Sequence, residues 1–482
     1  MGGVLLHREE RDLISPLRVL AGQAFSRAAG APLVVGNRLR ILKDANENYA
    51  AWIDAIGSAK RKILFENYII HEDDAGRQFS TLLAAKAREG VQVRLIYDWM
   101  GSRARTSRRF WRNLRESGVE VRCFNPPRLD SPLGWLSRDH RKMVSVDSRI
   151  GFITGVCVDR RWLGFPDREI DPWRDTGVEI EGPAVADVEQ AFAEIWAVCG
   201  PPMPAEELPR SRESIAAAGD VALRIVASSP SVAGVYRLDQ LIAAVARRSI
   251  WLTDAYFVGT TAYVQALRAA ALDGVDVRLL VPRSSDVPLV GSLSRAGFRP
   301  LLEAGVRVFE WNGPMLHAKT AVADGRWARV GSTNLNLASW IGNWELDVVA
   351  EDEPFAQAME QMYLDDLARS TEIILSARRR VSLSREPERP SHRAKTAPGS
   401  GGRAASGVLT LGSTIGAAMT RHRLLGPAEW TIMVYAGLLL LGLAAVAALW
   451  PRVIAIPLAV FGVWLAVSLL IQAYKLRSKR NR

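Results

Sequence analysis

The chain has 482 residues and a formal net charge of +11, long enough to bury two sizeable cores rather than one. The charge excludes little by itself, because anionic lipid, nucleic acid and phosphorylated small molecules are all drawn to a basic protein. Cys123, Cys157 and Cys199 show no metal-ligand spacing and cannot all pair within one chain, so a reduced, cytosol-facing catalytic region is expected.

The N-terminal segment, 1–31, opens with charges that interrupt it before any apolar run of signal length, so no secretory signal is expected. Gly2 meets only part of a myristoylation pattern, since Leu6 stands where Ser or Thr is required. Residues 12–29 are weakly amphipathic with Pro16 near the start. They read as a helix packed on the first lobe, with membrane contact as the alternative.

From 32 onward the chain repeats itself. Ala-Lys-Arg-Lys-Ile-Leu-Phe-Glu-Asn-Tyr-Ile-Ile, beginning at Ala59, matches Ala-Arg-Arg-Ser-Ile-Trp-Leu-Thr-Asp-Ala-Tyr-Phe, beginning at Ala246. Each is a helix end followed by a short apolar strand. Gly90 and Gly274 each end a helix and lead into a buried strand, and Gly118-Val-Glu-Val and Gly305-Val-Arg-Val form a third pair. The offset is roughly 185 residues, and strand–helix–strand order recurs in both halves. The expected organisation is an α/β lobe over 32–205 and a second over 206–376, divided in the Pro-rich stretch near 200–220. A helix over 187–198 closes the first. His71, after the strand at 63–70, reads as an exposed loop histidine with cleft lining as the alternative. Tyr68 and Tyr256 fall within one position of each other in the repeat and suit either the site edge or the strand core.

Each lobe carries His-x-Lys-x-x-x-x-Asp: His140, Lys142 and Asp147, then His317, Lys319 and Asp324. The intervening residues favour strand, and on a strand residues two apart share a face, so imidazole and ammonium reach one phosphate. A neutral imidazole can attack phosphorus and form a phosphohistidine, splitting one displacement into two. The second histidine, protonated, can supply the leaving alkoxide and later deprotonate the incoming alcohol or water. The two lysines offset charge on the non-bridging oxygens. No acidic metal cluster accompanies the motif, so no metal or cofactor is expected.

The paired motif, with Gly331-Ser332-Thr333-Asn334 after the second copy, resembles the phospholipase D superfamily and most nearly the bacterial cardiolipin synthases. The likeness covers about 32–374 and includes Glu66-Asn67-Tyr68, the stretch from Trp173 to Pro183 and Asn343-Trp344-Glu345. It implies mixed sheets flanked by helices, two lobes related by a pseudo-two-fold, and one active site between them. It makes His140 and His317 nucleophile and general acid/base, with His140 favoured as nucleophile, and puts Lys142, Lys319, Asn334 and Ser332 on phosphate. Asp147 and Asp324 come with the motif, in either a catalytic or a structural role. Glu345 and Asn343 support the site. Asp175 is a candidate to orient a histidine, with a plain surface position as the alternative. Where the first half should repeat Asn334 it has Cys157, a weak donor, which reads as a small buried packing residue.

Residues 377–428 turn to Arg, Ser, Pro, Gly and Thr without periodicity and read as a flexible basic linker. Beyond it, 430–451 and 453–474 are uncharged and mostly apolar. As helix each extends roughly 33 Å, enough to cross a hydrocarbon core. The expectation is a two-helix transmembrane hairpin over 429–475. Arg421 and Arg423 before it, and Lys475, Arg477, Lys479, Arg480 and Arg482 after it, put both ends and the catalytic region on the cytoplasmic face of the inner membrane. The partners implied are a phospholipid, with phosphatidylglycerol foremost, and a membrane. Nucleic acid is not expected, since no aromatic-interleaved basic patch stands out.

Overall fold

The computed structural model describes residues 16–103, 105–127, 136–230, 232–375, 381–383 and 449–480, together with 434, 438, 441, 442, 445 and 447. Most of the 377–428 segment lies outside the described residues.

The first half contributes β1 (Val34–Lys43), β2 (Lys62–Asn67), β3 (Gln92–Asp98), β4 (Glu120–Phe124), β5 (Lys142–Val146), β6 (Ile150–Thr154) and β7 (Thr176–Glu181). The second contributes β8 (Val221–Ser228), β9 (Ser249–Thr253), β10 (Asp276–Pro282), β11 (Arg307–Trp311), β12 (Thr320–Ala323), β13 (Trp327–Gly331), β14 (Glu345–Ala350), β15 (Ser370–Leu375) and β16 (Val381–Leu383). They join in one 16-stranded mixed sheet, ordered β16-β15-β11-β10-β9-β12-β13-β14-β8-β1-β7-β6-β5-β2-β3-β4. Read outward from the β1–β8 seam, the two sides repeat: β7, β6, β5, β2, β3, β4 on one and β14, β13, β12, β9, β10, β11 on the other.

Local chemistry explains the repeat. β2–β3–β4 and β9–β10–β11 are parallel, and β2, the innermost strand of its set, is buried throughout, as a strand covered on both faces should be. Gly90, Gly118, Gly274 and Gly305 all sit near φ +90°, the left-handed stop that lets a helix turn straight into the next strand. At the seam β1 pairs antiparallel with β8 through Val34–Leu223 and Asn37–Val221, with an irregularity between them. Buried Asn37 fills that gap, donating to Val34 O (2.9 Å) and Val221 O (3.3 Å) and accepting from Ala184 N (2.9 Å). The helix Val185–Cys199 seals the first half with Val188, Phe192, Ile195 and Trp196.

The helix Pro16–Ala29 packs on the second half, not the first as its position suggested. Ala29 and Ala31 join the core of Val226, Val235 and Leu238, and Arg237 Nε donates to Ala28 O (3.1 Å). The cause is topological: β1, which follows this helix, borders β8, so the preceding chain already lies over the second half. Gly234 allows the approach, since a Cβ there would stand 2.5 Å from Ala29 O.

Of the two C-terminal apolar runs, most of the first lies outside the described residues. The second falls in the helix Pro451–Arg480, on which Val453, Leu458, Val463 and Leu470 are exposed. Among the described residues no helix is long and apolar enough to cross a membrane, so the hairpin stands as a reading of composition.

Candidate active site

β5 starts at Lys142 and β12 one residue after Lys319, so each His-x-Lys lies at the head of a central strand. At both positions the backbone is held by the opposite half. His140 N donates to Trp344 O (2.9 Å) and Trp344 N to Arg138 O (2.8 Å); Arg174 N donates to Met315 O (2.9 Å) and His317 N to Arg174 O (2.7 Å). These short parallel bridges bring each histidine beside the residue that follows its bridging partner. His140 Nδ1 therefore lies 2.9 Å from Glu345 Oε2, and His317 Nδ1 lies 2.8 Å from Asp175 Oδ2. The pairs cross between the halves, and neither carboxylate has any exposed surface. A carboxylate on Nδ1 fixes the ring and selects its tautomer, leaving Nε2 for chemistry.

The carboxylates are themselves held. Asp175 accepts from Trp162 Nε1 and from Thr176 N, both at 2.8 Å. Its amide donates to Asp44 (2.9 Å), and Arg174 beside it is locked by Asp366 (2.8 Å) and Asp44 (3.1 Å). Glu345 accepts from Ser332 Oγ (2.5 Å) and Asn343 Nδ2 (3.3 Å). Burial pushes Glu345 up to about 7 against the pull of Lys142 and of these donors and raises Asp175 likewise. Lys142 and Lys319 each donate to the carbonyl of their own histidine, and Lys319 Nζ lies 3.0 Å from the His317 ring nitrogens. Burial lowers both ammonium groups, Lys319 to about 8, with Asp175 resisting that shift and Lys142 adding to it. The two ammonium groups are close enough for the charge of Lys142 to act on Lys319, so the halves bring two buried cations to one locus.

Aromatic rings wall the histidines. Tyr68 packs edge-on to His140 at 5.0 Å and Tyr256 edge-on to His317 at 5.8 Å, while Lys142 and Lys319 lie 5.2 and 5.6 Å from the same two rings. Trp162 and Trp173 add to the His317 side at 5.0 and 5.9 Å. The two tyrosines thus stand at the site edge. Trp162 was missed by sequence reasoning. Its signal lay in the repeat: counted from the histidines, Trp162 occupies the place of Ser339, another neighbour of the opposite carboxylate.

Several expected site residues lie elsewhere or act through others. Asp147 and Asp324 sit at the far ends of the strands, each with positive φ. Asp147 accepts from the amides of Lys60, Arg61 and Lys62, all at 2.8 Å. Asp324 accepts from those of Arg247, Arg248 and Ser249 at 2.8 to 3.2 Å. They cap the chain entering β2 and β9 and are corrected to structural residues. Ser332 is corrected too: its hydroxyl donates to Glu345 and accepts from Leu346 N (2.9 Å), which leaves no proton for phosphate. In the first half Gly155 occupies that place, and a Cβ there would stand 2.1 Å from Asp175 Oδ1. Asn334 is buried, with Nδ2 on Ser339 Oγ (3.3 Å) and Oδ1 unbonded among the described residues. Cys157 is fully buried in the apolar core, and burial raises its thiol.

His71 is buried and pairs with Asp159, contrary to the exposed-loop reading. With Asp73 these groups place ligand atoms within 4.8 Å of one another. The carboxylate oxygens are already taken, however, by Arg161, by the Arg160 and Arg161 amides and by Gly76 N. The cluster pins a loop and does not fit a cation.

The model of the family described as "Cardiolipin synthase, PLD-like domain" matches residues 52–196 and 239–367. A cardiolipin synthase A of Pseudomonas fluorescens (strain SBW25) is 34% identical over 73% of this chain and 73% of its own. A cardiolipin synthase of Alkalihalophilus pseudofirmus is 32% identical over 72% and 69%. A solved phosphatidylserine synthase of Haemophilus influenzae superposes with a TM-score of 0.56 at 14% identity, covering 73% of this chain and 91% of that one, which is a likeness of fold. A two-half α/β sheet with a histidine–lysine pair from each half defines the phospholipase D class. Within that class, the chain belongs to the phospholipase D-like cardiolipin synthase family.

Proposed function

We propose that the protein is a phosphatidyltransferase that joins two phosphatidylglycerols into cardiolipin and releases glycerol. The observation that carries this reading is the crossed pair of imidazole–carboxylate contacts, His140–Glu345 and His317–Asp175, in a chain that belongs to the cardiolipin synthase family. Nε2 of one histidine attacks phosphorus; the bond from phosphorus to the glycerol oxygen breaks, and the second histidine gives its proton to that oxygen. The same histidine then takes a proton from a headgroup hydroxyl of the second phosphatidylglycerol. That oxygen attacks phosphorus, the P–N bond breaks, and the first histidine is restored. We take His140 as nucleophile and His317 as acid and base. Lys142, Lys319 and the Asn334 amide bind the non-bridging oxygens, while Asp175 and Glu345 hold the rings.

With this function we propose the organisation read from the sequence: a lobe over 32–205, a lobe over 206–376, a basic linker over 377–428 and a membrane hairpin over 429–475, with the catalytic region on the cytoplasmic side of the inner membrane. Exposed apolar residues on the helix Pro451–Arg480 favour a lipid environment for that end of the chain. Purified protein in detergent, given phosphatidylglycerol labelled in its headgroup, yields cardiolipin and free glycerol in equal amounts. Phosphatidic acid with glycerol and no cardiolipin would instead assign hydrolysis, with water resolving the same intermediate.

A further inference from the structure

Between β3 and β4 the chain carries Arg103, Arg105, Arg108, Arg109, Arg112 and Arg115 with no acidic residue from Trp99 to Arg115. All six are exposed. The helix Arg108–Glu116 explains why: it spends its apolar face inward, with Phe110, Trp111 and Leu114 buried and Trp111 stacked on Tyr97 at 3.7 Å, and turns its arginines outward. Among the described residues ion pairing does not neutralise the face: Glu116 lies only at the 4.0 Å limit from Arg112, and Glu72, which borders the face, accepts from Ser107 N (2.9 Å).

This basic face borders the active site. Asp98, at the end of β3, accepts from Arg138 Nη1 and from Asp139 N, both at 3.0 Å, immediately before His140. The next residues lie against the wall of the His140 pocket. A Cβ on Gly101 would stand 2.0 Å from Tyr68 O, Ser102 Oγ accepts from Ile70 N (3.1 Å), and Thr106 Oγ1 donates to Ile70 O (2.6 Å). Tyr68 is the ring packed on His140. Arg103 and Arg105 are therefore one residue removed from the segment that walls the site. Arg108 and Arg109 open a helix that starts at the same end of the sheet, the carboxyl ends of the parallel strands where α/β folds place their ligands. Among the described residues the second half has no unpaired equivalent: after β10 come Arg283, Arg295 and Arg299, but Arg295 pairs with Glu310 (2.7 Å) and Arg299 with Glu303 (2.8 Å), and Asp286 stands among them, accepting from Tyr256 (2.7 Å).

We infer that this arginine face is a docking surface for an anionic lipid headgroup layer, which sets the His140 side of the mouth against the membrane. The inference rests on the phospholipid substrate proposed above. A surface of like charges at the mouth is drawn to an anionic layer by a sum of weak attractions and needs no shaped pocket. A nucleic acid would be drawn by the same charge, but the described part of the face presents no exposed aromatic side chains for bases to stack on.

The test uses the full chain in mixed micelles of nonionic detergent and labelled phosphatidylglycerol, compared with R103Q/R105Q/R108Q/R109Q. The surface fraction of lipid giving half-maximal rate is expected to rise about tenfold in the variant while kcat is retained. The difference should vanish in about 0.5 M salt, where the screening length is roughly 4 Å. The corresponding fourfold Lys variant should behave as wild type, since charge and not shape is what the layer senses. An unchanged half-saturation, or a loss confined to kcat, overturns the inference. Hydrogen exchange separates it from the substrate assignment. Adding phosphatidylserine to neutral micelles should protect 103–115 even if no phosphatidylglycerol is converted. Protection by a single-stranded oligonucleotide and not by phosphatidylserine contradicts it.

Discussion

Replacing Glu345 by Gln removes one negative charge from beside His140 and leaves the side chain's shape intact. The carboxylate is fully buried and 2.9 Å from Nδ1, so the contact is a charge-assisted hydrogen bond shielded from water, worth about 1.5–3 kcal/mol. If it acts mainly once His140 carries positive charge or phosphorus, kcat falls roughly ten- to 150-fold. Ser332 and Asn343 still find an amide to bond, so the fold should survive. The pH profile supplies a second reading. Burial holds Glu345 at about 7, so the wild-type rate should fall as pH drops through that value and the carboxylate takes up a proton. In Glu345→Gln the part of that limb set by this carboxylate near 7 is lost. On the alkaline side the rate falls as Lys319, lowered to about 8, loses its charge. The assay is initial-rate cardiolipin formation in detergent from pH 5.5 to 9. A variant within threefold of wild type, or an acid limb unchanged near 7, would refute the role given to the crossed pair.

Asp147→Ala and Asp324→Ala each strand three backbone amides, so each should cost about 2–4 kcal/mol of stability while the folded fraction keeps kcat within a few-fold; differential scanning and active-site titration separate the two effects. Asn334→Ala should slow turnover at least about tenfold by removing a phosphate donor, whereas Cys157→Ala should leave kcat nearly unchanged and lower stability by about 1 kcal/mol; equal kinetic effects would remove the asymmetry between the halves. Burial holds Asp98 and Glu345 at about 7 and Asp239 at about 6, so the folded protein keeps protons that the unfolded chain releases above about 4. Their contribution is complete below that value and is lost as pH rises through the folded values, so Tm should decline from pH 5.5 to 7.5. A rising Tm over that interval contradicts the burial argument.

The repeated order of strands was legible because it rests on local signals: a left-handed glycine stop followed by an apolar strand, as at Gly90, Gly118, Gly274 and Gly305. The histidines and lysines were legible because strand alternation puts i and i+2 on one face. What escaped depends on contacts between distant segments. Nothing near Asp175 distinguishes a surface carboxylate from one with no exposure until Arg174 is seen bridging to Leu316. Asp147 and Asp324 belong to the motif by spacing, yet a strand carries its last residue far from its first, so they cap the opposite end. His71 looked like a loop residue, but its loop folds under Asp159. The helix Pro16–Ala29 was placed on the nearer half in sequence, whereas the β1–β8 seam puts it on the other.

The central claim is that two histidines from opposite halves act in one site and that one of them carries the phosphatidyl group between donor and acceptor. Lipid labelled with radioactive phosphorus, mixed with enzyme and quenched within the first turnover, tests this most directly. The label should be bound to protein through a single histidine, His140 by this account, and be absent from His140→Ala. In His317→Ala, which lacks both the acid for the leaving glycerol and the acceptor's base, any label that forms should sit on His140 and fail to pass to an added acceptor. Cardiolipin forming with no label on the protein, or label surviving in His140→Ala at another residue, would contradict it.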